Sequence, residues 1–303
     1  MGLRAVGAVL LAAVLFGTTG TAQALGPSST TPLGVGAARL VVGGLALLAV
    51  LPIVGARRAE ALALWRTPTG LVAGLCTALY QVCFFAGVQR AGVAAGTLAA
   101  IGSGPVLTGW LARWLLGDRP GRAWLAATGL CLTGLTLLVL GGGASGGTDS
   151  LGGVLLALLA GFSYAAYTVL AKKQLDAGHA PSAVIAAAFG LGGLLSVPVL
   201  VTQPLGWFTT VEGMALALYL GLVATTLGYL LFVQGLAVLR AGPLTTLMLA
   251  EPVVATALGI VVLDERLSAL GGIGAGLVLV GLLVQGRGAA SGSAAREGVV
   301  GSR

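Results

Sequence analysis

Ten stretches of about 20 mostly apolar residues follow one another along the chain, at roughly 5–24, 33–54, 69–88, 93–112, 123–141, 151–170, 182–201, 213–235, 243–262 and 270–286. At a rise of about 1.5 Å per residue, each reaches across a hydrocarbon core of about 30 Å. A segment that crosses lipid must satisfy its own backbone hydrogen bonds, so each stretch is expected to be a helix. Transmembrane strands would alternate in polarity over about ten residues, and these runs do not. The composition agrees, with 57% hydrophobic and 8% charged residues, where a soluble domain carries about 25% charged. The expectation is an all-α integral membrane protein of ten transmembrane helices. Residues 287–303 are small and polar and read as a disordered cytoplasmic tail.

The formal net charge of +7 does not point to nucleic acid, because the cations sit between the apolar runs. With the N-terminus inside, the cytoplasmic ends hold Arg4, Arg57, Arg58, Arg66, Arg113, Arg119, Arg122, Lys172, Lys173, Arg240, Arg287, Arg296 and Arg303. The outer side keeps Arg39, Arg90 and Arg266. That split fits a multi-pass protein of the cell membrane with both termini cytoplasmic. Trp65, Trp110, Trp114, Trp124 and Trp207 lie near segment ends and read as interfacial anchors. Cys76, Cys83 and Cys131 fall inside apolar runs, without zinc spacing, and read as core filling.

The first run, followed by Ala22-Gln23-Ala24, has the look of a cleavable secretory leader. Internal duplication argues against cleavage. Gly7-Ala8-Val9-Leu10-Leu11-Ala12 returns as Gly152-Gly153-Val154-Leu155-Leu156-Ala157. Pro105 pairs with Pro252, Asp118-Arg119 with Glu265-Arg266, and Gly134-Leu135 with Gly281-Leu282, each 147 residues on (252 − 105, 265 − 118, 281 − 134). Two repeats are expected, at 5–141 and 151–286. Five helices is an odd number, so the second repeat enters the membrane upside down. Such inverted repeats are a hallmark of secondary transporters.

Several residues together carry a resemblance. Phe16-Gly17-Thr18-Thr19 in the first run, Arg39 early in the second, Tyr229 in the eighth, Glu251-Pro252 in the ninth and Asp264-Glu265-Arg266-Leu267 at its end resemble the EamA-type members of the drug/metabolite transporter superfamily, over residues 5–286. The resemblance implies two five-helix repeats and movement of small organic solutes, often outward, with amino acids and related metabolites among the frequent substrates. The chain departs from the family pattern at Thr18-Thr19, where Ser or Asn is common. Its first repeat also has Gly104 where the second has Glu251.

An ionisable group inside a span costs about 2.5–3.5 kcal/mol on insertion scales and usually has a task. Glu251 and Arg39 are the two such groups, and they read as a charged pair or a shared substrate site; the bland alternative has Arg39 snorkelling and Glu251 bonded to a neighbouring helix. Pro105 and Pro252 free backbone carbonyls, so Ser103, Gly104 and Pro105 read either as the wall facing Glu251 or as a packing kink. Tyr80 with Phe84, Tyr164 with Tyr167, and Tyr229 with Phe232 lie one turn apart on three runs, with Gln81 and Gln234 nearby. Such faces could hold a cationic or apolar solute, or simply pack. Gly272-x-x-x-Gly276 reads as helix packing.

The chain has one histidine, His179 in a loop, and none of the metalloprotease, nucleophile-elbow or phosphate-loop motifs. No enzyme, no cofactor, no metal site and no ATP-driven pump is expected. The leading function is a gradient-driven exporter of small metabolites or drugs; the alternatives are a non-transporting scaffold or receptor, and a lipid-handling transporter. The partners are a small-molecule substrate and the bilayer, with assembly into homo-oligomers left open.

Overall fold

The computed structural model describes residues 2–141, 150–264 and 266–300, with the side chains of 94, 150 and 288–300 outside the description. Helix α1 (Gly2–Ala24) is followed by α2 (Pro32–Val50), a short α3 (Arg58–Leu64) and α4 (Pro68–Ala91). Next, α5 (Val93–Thr97), a π-helical segment (Leu98–Gly102) and α6 (Ser103–Leu116) run on without a break. Then come α7 (Arg122–Gly141), α8 (Ser150–Asp176) and α9 (Pro181–Val201). A 3₁₀ turn (Gly206–Thr209) leads into α10 (Val211–Leu218), a second π-helical segment (Tyr219–Leu227) and α11 (Gly228–Val238). The chain ends with α12 (Ala241–Leu247), α13 (Ala250–Leu263) and α14 (Ala269–Val300).

Among the described residues, nine helical stretches are long and apolar enough to cross a membrane, counting α10 through α11 as one and α12 through α13 as one. The stretch from α5 to α6 is the expected fourth span, and the π segment interrupts it. Helix α3 was not anticipated; it lies between the second and third apolar runs. Helix α14 continues past the end of the last apolar run at 286.

Local signals explain the helix starts. Thr31 and Thr67 cap α2 and α4 by accepting from the N–H groups of Gly34 and Gly70, and a proline follows each cap at the first helical position. Helices α6 and α13 end alike. Gly117 (φ 71°) and Asp264 (φ 55°) both take the left-handed conformation that closes a helix, and they are 147 residues apart (264 − 117). Asp264 is the non-glycine residue with positive φ among those described.

The surface is apolar in the manner of a lipid-facing bundle. Leu3, Leu45, Ile53, Leu151, Val211, Val261 and Leu283 all stand exposed; a water-soluble monomer rarely shows so much contiguous apolar surface. Inside, helices touch through glycine. Gly134 lies against Gly274 and Val278, and Gly281 lies against Ala127 and Cys131. The two sets of contacts are related by a shift of 147 (281 − 134, 274 − 127, 278 − 131), and they join α7 to α14. Gly272 and Gly276, the pair singled out from sequence, do not make this interface: a Cβ on Gly276 would meet nothing within 4 Å, and one on Gly272 would reach only Leu267 at 3.9 Å. The glycines that do, at 271, 274 and 281, lie on another face of the same helix. Elsewhere α4 packs on α8 and α11 on α1, α6 on α8 and α13 on α1, and α2 on α9.

One end of the bundle is shut. Leu47, Leu51, Leu64, Leu236, Leu244 and Leu247 form part of one buried cluster there. Charged and polar contacts gather at the same end: the ion pairs Asp118 with Arg240 at 3.5 Å and Lys172 with Asp176 at 3.1 Å, and Glu60 beside His179 Nδ1 at 3.4 Å. Lys172 Nζ also donates to the carbonyls of Leu236 and Ala237, tying α8 to the C-terminus of α11. His179 is therefore engaged with Glu60 rather than merely solvated. Trp65 donates to Ala187 O at 2.8 Å and Trp124 to Thr246 at 3.1 Å, while Trp207 is buried against Phe208. Only Trp110 and Trp114 stand exposed as the interfacial reading required.

Close helix approach predicts a contrast between two glycines. A Cβ on Gly44 of α2 would run into the carbonyl of Phe189 on α9, whereas Gly7 has nothing within 4 Å. Gly44→Leu is expected to cost about 1–3 kcal/mol by overpacking and to lower the melting temperature in detergent. Gly7→Leu should leave it unchanged.

Candidate functional site

The ninth span is broken where its charged residue sits. Helix α12 ends at Leu247, Met248 and Leu249 turn, and α13 restarts at Ala250. Glu251 is the second residue of the restarted helix and Pro252 the third. The first four N–H groups of a helix have no partner in it, so Pro252 sacrifices no hydrogen bond there. The positive end of the helix dipole favours a carboxylate at Glu251, whose own N–H donates to the carbonyl of Met248 at 3.0 Å. In α6, Gly104 and Pro105 occupy the matching second and third positions, just after the π segment.

Glu251 lies on the wall of a cavity of about 580 Å³. The cavity starts in the middle of the bundle, between Phe16, Tyr80, Tyr164, Tyr229 and Met248. It runs to the end formed by Gln23 and Ala24 of α1, Val93 of α5 and Leu263 of α13, opposite the shut end. Arg39 and Glu251 are the charged residues that line it. They do not form an ion pair: among the described residues no carboxylate oxygen lies within 4.0 Å of Arg39. The Nε atom of Arg39 and the hydroxyl of Thr19, which also lines the cavity, are occluded without a hydrogen-bond partner.

Aromatic rings make the floor. Tyr80 lies 5.8 Å from Phe84 and 5.9 Å from Tyr164, centroid to centroid; Tyr164 lies 5.4 Å from Tyr167. Tyr167 then reaches Phe189 at 5.8 Å, and Phe189 meets Tyr229 at 3.8 Å, with Phe16 at 4.7 Å beyond. The Tyr167 hydroxyl donates to that of Tyr229 at 3.4 Å. This chain of rings separates the cavity from the shut end.

The thirteen residues proposed from sequence thus divide. Glu251, Arg39, Pro252, Tyr80, Gln81, Phe84, Tyr164 and Tyr229 line the one cavity. Pro105 shares a small adjoining space of about 30 Å³ with Glu251, Tyr80 and Tyr164. Tyr167 is fully buried behind the floor. Gly104 touches the Tyr164 ring, and Ser103 packs toward Gly161 of α8 and donates to Ala100 O at 3.3 Å. Gln234 is exposed and belongs to no part of the site. Phe16, Thr19, Phe85 and Met248 line the cavity without having been proposed. The pairing of Phe16 with Gly17-Thr18-Thr19 was the available signal for the first two. No metal-binding cluster of His, Cys, Asp and Glu occurs among the described residues.

A bundle of membrane-crossing helices around a charged, aromatic-floored cavity is the build of a multi-pass membrane transporter. Comparison with known proteins agrees. The model of the EamA-like transporter family matches residues 3–140 and, separately, 151–286, and the chain belongs to that family. A Bacillus subtilis protein named "Uncharacterized transporter YwfM" is 41% identical over 276 residues, 91% of each chain. An "Uncharacterized transporter" of Clostridium kluyveri is 28% identical over 140 residues, 46% of this chain and 45% of its own. One solved crystal structure shares the fold with a TM-score of 0.75 at 22% identity, over 93% of this chain and 96% of its own.

Gly104 lets a test reach the cavity from behind. A Cβ there would stand 3.2 Å from Cδ1 of Tyr164, tighter than an ordinary contact. Gly104→Leu is expected to push the Tyr164 ring into the cavity and to cut solute transport in proteoliposomes sharply, with expression and membrane insertion retained. Unchanged transport would show that the ring has room to yield elsewhere.

Proposed function

We propose that this protein is a gradient-driven exporter of small organic metabolites or drugs across the cytoplasmic membrane, in which Glu251 is the coupling or substrate-binding carboxylate. In this reading ten spans, with α5 to α6 as the fourth, form two inverted five-helix repeats at 5–141 and 151–286. Both termini are cytoplasmic and the cavity faces outward. Two separate family matches, helix caps and packing contacts that recur 147 residues apart (264 − 117, 281 − 134), and the positive-inside distribution of cations support it.

The observation that carries the reading is the position of Glu251. It sits at the broken midpoint of a span, at a helix start, on a solvent-sized cavity, with no ion pair to neutralise it. A carboxylate held this way exchanges protons or cations with whichever side the cavity faces. When the outer end closes and the shut end opens, the same carboxylate meets the cytoplasm. Opening that end requires the pairs Asp118–Arg240 and Glu60–His179 to part. Pairs of this kind, part-exposed and worth about 0–1 kcal/mol each, close an end without locking it.

Glu251→Gln keeps the size and shape of the side chain and removes its charge and its exchangeable proton. Expressed and reconstituted at wild-type level, it is expected to lose solute transport by at least about tenfold, the effect of a lost interaction of about 1.4 kcal/mol or more. Glu251→Asp should keep part of the activity. Normal transport by Glu251→Gln at every pH tested would make the residue structural.

A further inference from the structure

Besides Glu251, the cavity wall holds polar groups on α2 and α4 that make no side-chain hydrogen bond among the described residues. Gln81 of α4 is 5% exposed, lines the cavity, and makes no side-chain hydrogen bond among the described residues. Its amide is not occluded but opens onto the cavity, where it can bond whatever occupies that space. Arg39 of α2 also lines the cavity; its Nε is occluded and unpartnered, and among the described residues no carboxylate lies within 4.0 Å of it. The two are neighbours through Gly36. A Cβ on Gly36 would collide with Nε2 of Gln81 and with the ring of Phe85, so both lie flat on α2 one turn before Arg39. Guanidinium and amide donors thus share one patch of wall, with the edge of Phe85 beside them and the aromatic floor below.

We infer that Arg39 and Gln81 form a carboxylate-binding subsite, and that the solute is a monovalent organic carboxylate with an apolar or aromatic body. The inference rests on the reading of this cavity as the solute site and adds the chemistry of its second wall. The guanidinium offers a fork of N–H donors that a planar carboxylate accepts on both oxygens, and the neighbouring amide adds a further N–H donor. Charge balance sets the valence. Arg39 is the cation lining the cavity and Glu251 the anion, so a monocarboxylate neutralises Arg39 while Glu251 keeps its own proton or cation. A phosphate monoester or a lipid phosphate of higher charge would leave a surplus negative charge at membrane depth, where it is expensive. The rest of the lining is largely aromatic and aliphatic, which suits an apolar body.

The test compares an acid with its amide, which differ little except in charge. Full-length protein purified in detergent is titrated with 3-phenylpropionate, 4-phenylbutyrate and hexanoate, each beside its primary amide, and with 2-phenylethyl phosphate, and thermal stability is followed. The expected result is stabilisation by at least one carboxylate and none by its amide. Arg39→Gln should weaken carboxylate binding by roughly 10- to 100-fold, the loss of a charge-assisted hydrogen bond; Gln81→Leu should weaken it less, and Arg39→Lys should restore part of it. Gly36→Val, which displaces Gln81 and Phe85 without touching charge, should act like Gln81→Leu. Equal effects of acid and amide, preference for the phosphate, stabilisation by none of the acids, or unchanged carboxylate affinity in well-folded Arg39→Gln would overturn the subsite. Because Glu251 is intact in all these variants, such a failure leaves the Glu251 assignment standing. Loss of transport in Glu251→Gln with carboxylate binding preserved would separate the two in the other direction.

Discussion

A carboxylate and a guanidinium line one cavity within the apolar bundle without making a direct ion pair, and most of the structure follows from that. Either charge facing hydrocarbon would cost about 2.5–3.5 kcal/mol on insertion scales. Glu251 and Arg39 are each placed instead on the wall of a cavity of about 580 Å³. A cavity of that size in a ten-run bundle has to be offset by close packing elsewhere. The glycine contacts of α7 with α14 and of α2 with α9 supply it, since backbone can approach backbone only where no Cβ intervenes. Irregular backbone appears where it borders the cavity: the turn before α13 and the π segment before α6 both end at residues beside it.

The bundle is asymmetric along the membrane normal. Its two ends are built from different chemistry: one from open polar and aliphatic helix ends, the other from a leucine-rich cluster, a lysine that ties two helices together, the Asp118–Arg240 ion pair and the contact of Glu60 on α3 with His179. Between them lies the chain of rings from Phe84 to Phe16, in which Tyr167 and Tyr229 share a hydroxyl contact. Most of these rings pack tilted or edge to face, the arrangements their quadrupoles favour.

Much of this was legible in the sequence, and the remainder was hidden for a definite reason. Spans, their order and the residues at their broken midpoints could be read because lipid imposes length and because Pro252 and Glu251 are exceptional inside an apolar run. The rotation of each helix could not be read. Helices with lipid on one side and helices on the other are apolar all round, so the sequence carries little sign of which face turns inward. That is why Gln81 and Gln234 looked equivalent although one is buried in the cavity and the other exposed. It is also why Gly272 and Gly276 were chosen when Gly271, Gly274 and Gly281 form the contact. Phe85 was missed beside Phe84 for the same reason, since the sequence does not show that two adjacent residues both reach the cavity, Phe85 through its contact with Gly36. Helix α3 was too short to leave a periodic signal.

The proposed function holds that Glu251 lines a cavity reached from one face of the membrane only, the outer one. Ala255, one turn beyond Glu251, lines that cavity, whereas Ala241 is fully buried at the shut end. With the buried Cys76, Cys83 and Cys131 replaced by alanine, a single cysteine at either position can be exposed to a membrane-impermeant maleimide in intact cells and in inverted vesicles. The account predicts that Ala255→Cys is labelled from the outside of intact cells and that Ala241→Cys is not. Labelling of Ala255→Cys only in inverted vesicles, or from neither side, would contradict it.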